Sequence, residues 1–424
     1  MPRSTPEIAH HAALDARMVD AVRDIRLLTL LSWPIEIQQS FLEQHVRGHD
    51  VLPQVAYARH DYSDTRRELA AISAEADPGH PLGAYLIDST RNWSIAAQLL
   101  ESLGTHDVTT HSVALYGRPD HALPGGGTTT REAAHHFIDI ANELDHSLLS
   151  PAEQVTISAT ALQLQLQNDL DGYFGSREIE VVLDPHMIAK AAAGSRRIRL
   201  RSGAEYTDYD HHQLLQHEAF VHSLTALNGR EQPVLSSLGL SSPRTTVTQE
   251  GLATFAEQIT GNIDIERMKR VSLRIEAIAM ALDGADFIDV FRYFLANGQP
   301  ANESFSSAQR VFRGVPLTGG AAFTKDAVYL RGLIGVHTFF RWALRQDKLH
   351  LCRLLFAGKM TLRDVQQFEP LFDDSDGDPV LLPPHWLPEW VARANGLAGM
   401  LAFSLFANRI RLDEVGDDVF TLDL

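Results

Sequence analysis

Residues 216–222 read QHEAFVH and residues 249–253 read QEGLA. Together they supply two imidazoles and two carboxylates, the donor set of a catalytic zinc centre of the His2Glu type. Such a centre holds its metal with three side chains and leaves one position for water. His217, His222 and Glu250 would be the ligands and Glu218 the general base. A bound zinc lowers the pKa of its water toward ~7, so that a neighbouring carboxylate can take the proton and direct the water at a carbonyl. The chemistry is that of a hydrolase, and Zn2+ is the expected cofactor, although iron or cobalt would suit the same ligands.

The two histidines are five residues apart rather than four. On a regular helix of ~3.6 residues per turn that places them roughly 140° apart. Two ring nitrogens aimed so far apart cannot both lie ~2.0–2.1 Å from one ion. Either the helix is underwound between them or the pair is not a metal site. A π-turn, with its i→i+5 hydrogen bond, would return both to one face, so the spacing predicts a π-bulge or local distortion at Ala219 to His222. In a chain with 20 histidines the pair alone is weak evidence. Glu250 strengthens it through its setting, the helical stretch TQEGLATFAEQITG, in which Gly251 would let another backbone or a substrate come close.

The segments HEAFVHSLTALNGREQPVLSSLGL, TQEGLA and AFTKDAVYLRG (322–332) resemble the QEGLA-motif proteins, whose bacterial members are called flavohaemoglobin expression-modulating QEGLA motif proteins. Their eukaryotic relatives are the microtubule-associated tyrosine carboxypeptidases, zinc metallopeptidases that remove the C-terminal tyrosine of tubulin. The resemblance is strong between about Glu178 and Arg341. It implies His217, His222 and Glu250 on zinc, with Glu218 as catalytic base. It does not carry a substrate over.

A carboxypeptidase must hold a terminal carboxylate, which the planar guanidinium fork does best. Arg310, Arg313 and Arg331, near the family's FTKDxVYL motif, are the candidates for substrate binding. Lys325 and Tyr329 stand four apart, one face of a helix. Lys325 would neutralise substrate or transition-state charge, and Tyr329 would donate to the developing oxyanion; the plainer alternative is a surface lysine beside a core tyrosine. Glu257, two turns beyond Glu250, could accept the second ring N–H of a ligating histidine, or simply face solvent.

These groups need elements to hold them. Two β-type runs, Glu178–Leu183 and Arg197–Arg201, precede the metal helix, which Thr207 or Asp208 could cap. Most other segments have helical periodicity. The expected class is therefore α+β, mostly α: a zincin-like catalytic core with a small sheet against the metal-binding helix, by fold-level analogy, plus a helical N-terminal region. The Pro-Gly-Gly-Gly run at 124–127 suggests a flexible joint dividing residues 1–125, the helical N-terminal region, from residues 126–424, the catalytic domain. The first helix is expected to run from a Thr5 cap to Leu31. Asn228-Gly229 reads as the turn that ends the metal helix.

The chain has 424 residues, 44% hydrophobic and 21% charged, with a net charge of −17. That acidity disfavours nucleic acid as a partner. The single cysteine, Cys352, excludes an intramolecular disulfide and reads as a core thiol. No run has the length and apolarity of a membrane span, so a cytoplasmic, unanchored protein is expected. The partner is expected to be a peptide or protein C-terminus, cleaved to release one residue, with an aromatic residue as one choice; oligomeric state is left open. The competing readings are a zinc hydrolase of small amides or amino-acid conjugates, and a non-catalytic regulatory protein with a structural metal closed by a fourth ligand. The alternating aspartates 374, 376 and 378 lack the closing glutamate of a calcium loop.

Overall fold

The computed structural model describes residues 5–408 except 126, 145–155, 188–189, 195, 374 and 376–378; at 208 and 394 it describes the backbone alone. The alternating aspartates 374, 376 and 378 thus lie outside the described residues. The fold is α+β and mostly helical, with two small sheets. Among the described residues no helix is long and apolar enough to cross a membrane.

The strands are β1 (Thr156–Ser158), β2 (Glu180–Asp184), β3 (Ala191–Ala193), β4 (Arg197–Arg201) and β5 (Glu205–Thr207). β2 and β4 are the two strands visible in the sequence, and they pair in parallel with Val181 opposite Ile198. β4 alternates as a half-buried strand must, with Ile198 and Leu200 inside and Arg197 and Arg199 outside. β3 joins its other edge antiparallel, Ala192 opposite Arg199. An alanine run has little strand tendency of its own, so β3 comes from its place beside β4. β1 pairs with β5 in a separate antiparallel ribbon.

The β5 ribbon leads directly into the metal helix. Thr207 and Asp210 form a reciprocal capping box at its start. The helix runs α over Asp208–Leu214, π over Leu215–Ser223 and α again over Leu224–Arg230. Asn228 and Gly229 are therefore inside the helix and not a terminating turn. Asn228 is buried and donates to the carbonyls of Phe356 and Trp386 at 2.7 and 2.9 Å. A Cβ on Gly229 would sit 2.1 Å from the Leu238 carbonyl oxygen. The pair serves packing, which a turn propensity cannot reveal.

The N-terminal helices share the hydrophobic core of the rest. Trp33 and Phe41 pack on Phe287 and Phe305 with ring centroids 5.3–6.0 Å apart. Asp15 accepts the Ser237 amide at 3.1 Å, and Tyr85 lies 2.9 Å from the Ser237 hydroxyl. The first helix stops at Ala21, not Leu31, and a short helix follows at Leu27–Leu30. Val22, Ile25 and Leu27 are all buried, and steps of three and two would scatter them around a straight helix. At the glycine run the chain makes a tight turn, with Ala122 bridged to Thr129 and Leu123 donating to Thr128 at 2.8 Å.

Candidate metal centre

The π-helix decides the geometry. Nine residues from Leu215 to Ser223 adopt it, a longer stretch than the single turn the histidine spacing demands. It puts His217 and His222 side by side, ring centroids 4.9 Å apart. The neighbouring helix Thr246–Ile259 crosses here and brings Glu250 to both. Glu250 Oε2 lies 3.5 Å from His217 Nε2 and 3.6 Å from His222 Nε2. Ligand atoms each ~2.0–2.1 Å from a tetrahedral zinc stand roughly 3.3 Å from one another. The separations suit a shared ion better than hydrogen bonding between the side chains. Among the described residues this is the one group of three or more His, Cys, Asp or Glu able to surround a metal.

Two glycines let the helix Thr246–Ile259 approach a third helix closely on another side. A Cβ on Gly251 would lie 2.2 Å from the carbonyl carbon of Gly332, and one on Gly332 would lie 2.2 Å from the Val247 oxygen. The close approach that Gly251 permits is to the backbone of the helix Val328–Arg345.

Glu257, one helical face along from Glu250, is wholly buried and does not face solvent. Its Oε1 accepts from His217 Nδ1 at 2.5 Å, from Gln213 at 3.0 Å and from Arg267 Nη2 at 2.6 Å. With Nδ1 donating, His217 Nε2 keeps its lone pair for the centre. Burial alone would raise the Glu257 pKa, but Arg267 and then His217 hold it down at about 2. Glu250 behaves alike: burial opposes ionisation, and the Lys325 ammonium and both histidines pull its pKa well below the ordinary carboxylate range.

Lys325 is buried with its Nζ 2.7 Å from Glu250 Oε1, and it lies 5.2 Å above the Tyr329 ring. It starts a short 3-10 turn, Thr324–Ala327, anchored from the N-terminal region. There the Ser112 hydroxyl accepts the Thr324 amide at 2.7 Å. Asp326 in the same turn takes Arg310 on both oxygens, at 2.5 and 2.6 Å.

A cavity of about 740 Å³ opens beside the centre, lined by His217, Glu218, Tyr329, Arg310 and Arg313 among others. Glu218 Oε2 accepts the Ala193 amide of edge strand β3 at 3.1 Å, so the small sheet lies against the π-helix and steadies that carboxylate. Arg331 is not in the lining; its guanidinium sits beside Gly117 and His121. Besides Arg201 at the end of β4, three cavity arginines escaped the sequence reading: Arg267, Arg270 and Arg274. Their spacing of three and four residues marks one face of the helix Ile265–Leu282, a signal that was available.

Fold and site define a mostly helical α+β protein with a buried His–His–Glu cluster beside an arginine-rich cavity. A family model described as microtubule-associated tyrosine carboxypeptidase matches residues 39–409, and the chain belongs to that family. Among curated proteins none matches the chain.

Proposed function

We propose that the protein is a zinc-dependent metallocarboxypeptidase that hydrolyses the last peptide bond of a peptide or protein. The observation that carries this is the meeting of His217, His222 and Glu250 at ligand spacing with Glu218 in the lining of the adjoining cavity. Two imidazoles and a carboxylate fit zinc, and three protein ligands correspond to a catalytic rather than a closed structural site. The family description adds carboxypeptidase chemistry. The edge strand against the metal helix supports a zincin-like core by analogy.

Zinc held there would supply Lewis acidity to the scissile carbonyl and to an attacking water. The chain's own groups then divide the work. Glu218 takes the water's proton and returns it to the leaving amine. Glu257 fixes the tautomer and the aim of His217. Lys325 orients Glu250 and keeps it ionised. Tyr329, whose hydroxyl accepts a 3.4 Å contact from Arg310, offers its proton to the oxyanion that develops in the cavity. Cavity arginines receive the terminal carboxylate.

The test uses zinc-loaded protein and a peptide library with varied C-termini, with products followed by mass. Single C-terminal residues are expected to be released, and Glu218→Gln should lower the rate by roughly 10²–10⁴ while retaining one zinc. A zinc-replete Glu218→Gln variant with wild-type turnover would sink the proposal. So would a fully metallated wild type that removes no terminal residue.

A further inference from the structure

Three carboxylates around the centre each have a partner of opposite sign. Glu250 meets Lys325, Glu257 meets Arg267, and Asp326 gives both oxygens to Arg310. Among the described residues, the cavity's Arg270, Arg274 and Arg313 have no carboxylate of their own. Arg274 approaches a carboxylate only at 3.8 Å, the same Asp326 oxygen that Arg310 holds at 2.5 Å. Arg313 has no carboxylate oxygen within the 4.0 Å ion-pair limit among the described residues. Both Nε atoms are buried without a hydrogen-bond partner. Arg274, Arg310 and Arg313 thus gather around one carboxylate and leave two positive charges uncompensated. Burial first, and then the Arg310 charge, push each of the two guanidiniums down to about 10. A buried unpaired charge is costly, and a ligand supplying two carboxylates would relieve both.

The adjoining wall agrees. Asn302, Ser306, Gln309 and Arg310, spaced four, three and one along the helix Ala301–Phe312, line the cavity together with Arg313. These residues offer amides, a hydroxyl and guanidiniums, while the apolar lining (Tyr209, Leu214, Ile265 and Val271) comes from other elements. Gln299 Nε2 and Gln309 Oε1 in the same lining also lack partners.

Resting on the carboxypeptidase reading, we infer that the released residue is itself acidic. The α-carboxylate of a C-terminal glutamate or aspartate satisfies one of Arg274 and Arg313, and its side-chain carboxylate satisfies the other. A terminal tyrosine, the residue in the family's description, would leave one guanidinium unpaired.

The experiment compares one N-blocked peptide ending in Glu, Gln, Asp, Asn, Tyr or Phe. Glu and Gln differ in charge but hardly in shape. Single-residue release by zinc-loaded wild type gives kcat/KM, and calorimetry on zinc-loaded Glu218→Gln gives Kd for the uncleaved peptides. Glu is expected to exceed Gln by at least about 100-fold in kcat/KM, the penalty for leaving a buried polar group unmatched. Arg274→Gln or Arg313→Gln should cut that ratio at least tenfold, with zinc still at one per chain. Preferred release of Tyr or Phe, or equal rates for Glu and Gln, overturns the acidic-residue inference and leaves the carboxypeptidase intact. Tighter binding of the Glu peptide than the Gln peptide without any cleavage keeps the ligand class and overturns the hydrolysis. Neither binding nor cleavage overturns both.

Discussion

Glu257 is the residue through which the centre is most easily tested apart from catalysis. It touches no substrate-facing surface, yet it collects donors from His217, Gln213 and Arg267. Glu257→Gln keeps the shape and removes the charge, so His217 Nδ1 faces a neutral amide that accepts more weakly and no longer fixes the tautomer by charge. Zinc affinity is expected to fall about 10–100-fold, read by competition with a coloured chelator. An unchanged affinity in a folded variant would refute the assignment. Asp326 is a matched case for the cationic cluster. Burial acts to raise its pKa, and Arg310 outweighs that and depresses it below the ordinary 3.8. A depressed acid stabilises the fold fully above 3.8 and loses that contribution as the pH falls toward its folded value. Asp326→Asn should therefore cost about 3–5 kcal/mol near neutrality. Below pH 3.8 the gap to wild type should narrow by at most about 1.4 kcal/mol per pH unit. Urea unfolding across that range decides it, and a pH-independent gap would count against the ion pair. At this scale the candidate cluster was legible, because His217, Glu218, His222 and Glu250 lie in two short runs. For Arg274 only the shared helix face with Arg267 and Arg270 could be read, since its place beside Asp326, 52 residues later in the chain, comes from the fold.

At the scale of elements, the five-residue step between histidines forecast a π-turn on geometry alone, and the structure carries it from Leu215 to Ser223. Its length was hidden, because the contacts that accompany the extension are tertiary: Ala193 to Glu218 and Ser223 to Gly194 at 2.9 Å. β3 was hidden for the same reason. Gly251 was read correctly as a point of close approach, but only the structure names Gly332 as what approaches. The two glycines form one contact, which makes a sharp test. Gly251→Ala and Gly332→Ala should each push the helices Thr246–Ile259 and Val328–Arg345 apart. Overpacking of this kind costs typically ~1–3 kcal/mol, occasionally more. Glu250 adjoins the first glycine and Lys325 precedes the second helix, so zinc affinity should fall as well. Once separated, the helices gain little from a second methyl, so the double variant should cost less than the sum of the singles. Strict additivity in thermal melts, or unaltered zinc binding, would show that the contact does not set the ligand geometry.

Across the whole molecule, a net charge of −17 gives no hint of an arginine-rich cavity. A sum over all residues loses the sign of any one concavity, whereas the energy of a bound anion depends on the nearest few groups. The same global view bears on metal removal. The three candidate ligands lie within residues 217–250, and their supports extend from Ser112 to Tyr329. The hydrophobic core also runs without a break from the N-terminal helices into the helices around the centre. Loss of zinc should therefore lower the melting temperature of one cooperative transition and not uncouple a separate one. Free zinc at 1,000 times its Kd stabilises a native state by about 4 kcal/mol if the unfolded chain does not bind it. The melting temperature should accordingly rise with buffered free zinc in the wild type and stay flat for His222→Ala. Calorimetry over a series of chelator-buffered zinc concentrations provides the measurement. An equal zinc response in His222→Ala would place the metal elsewhere, and a second, zinc-independent transition in the wild type would divide the core that the structure shows as one.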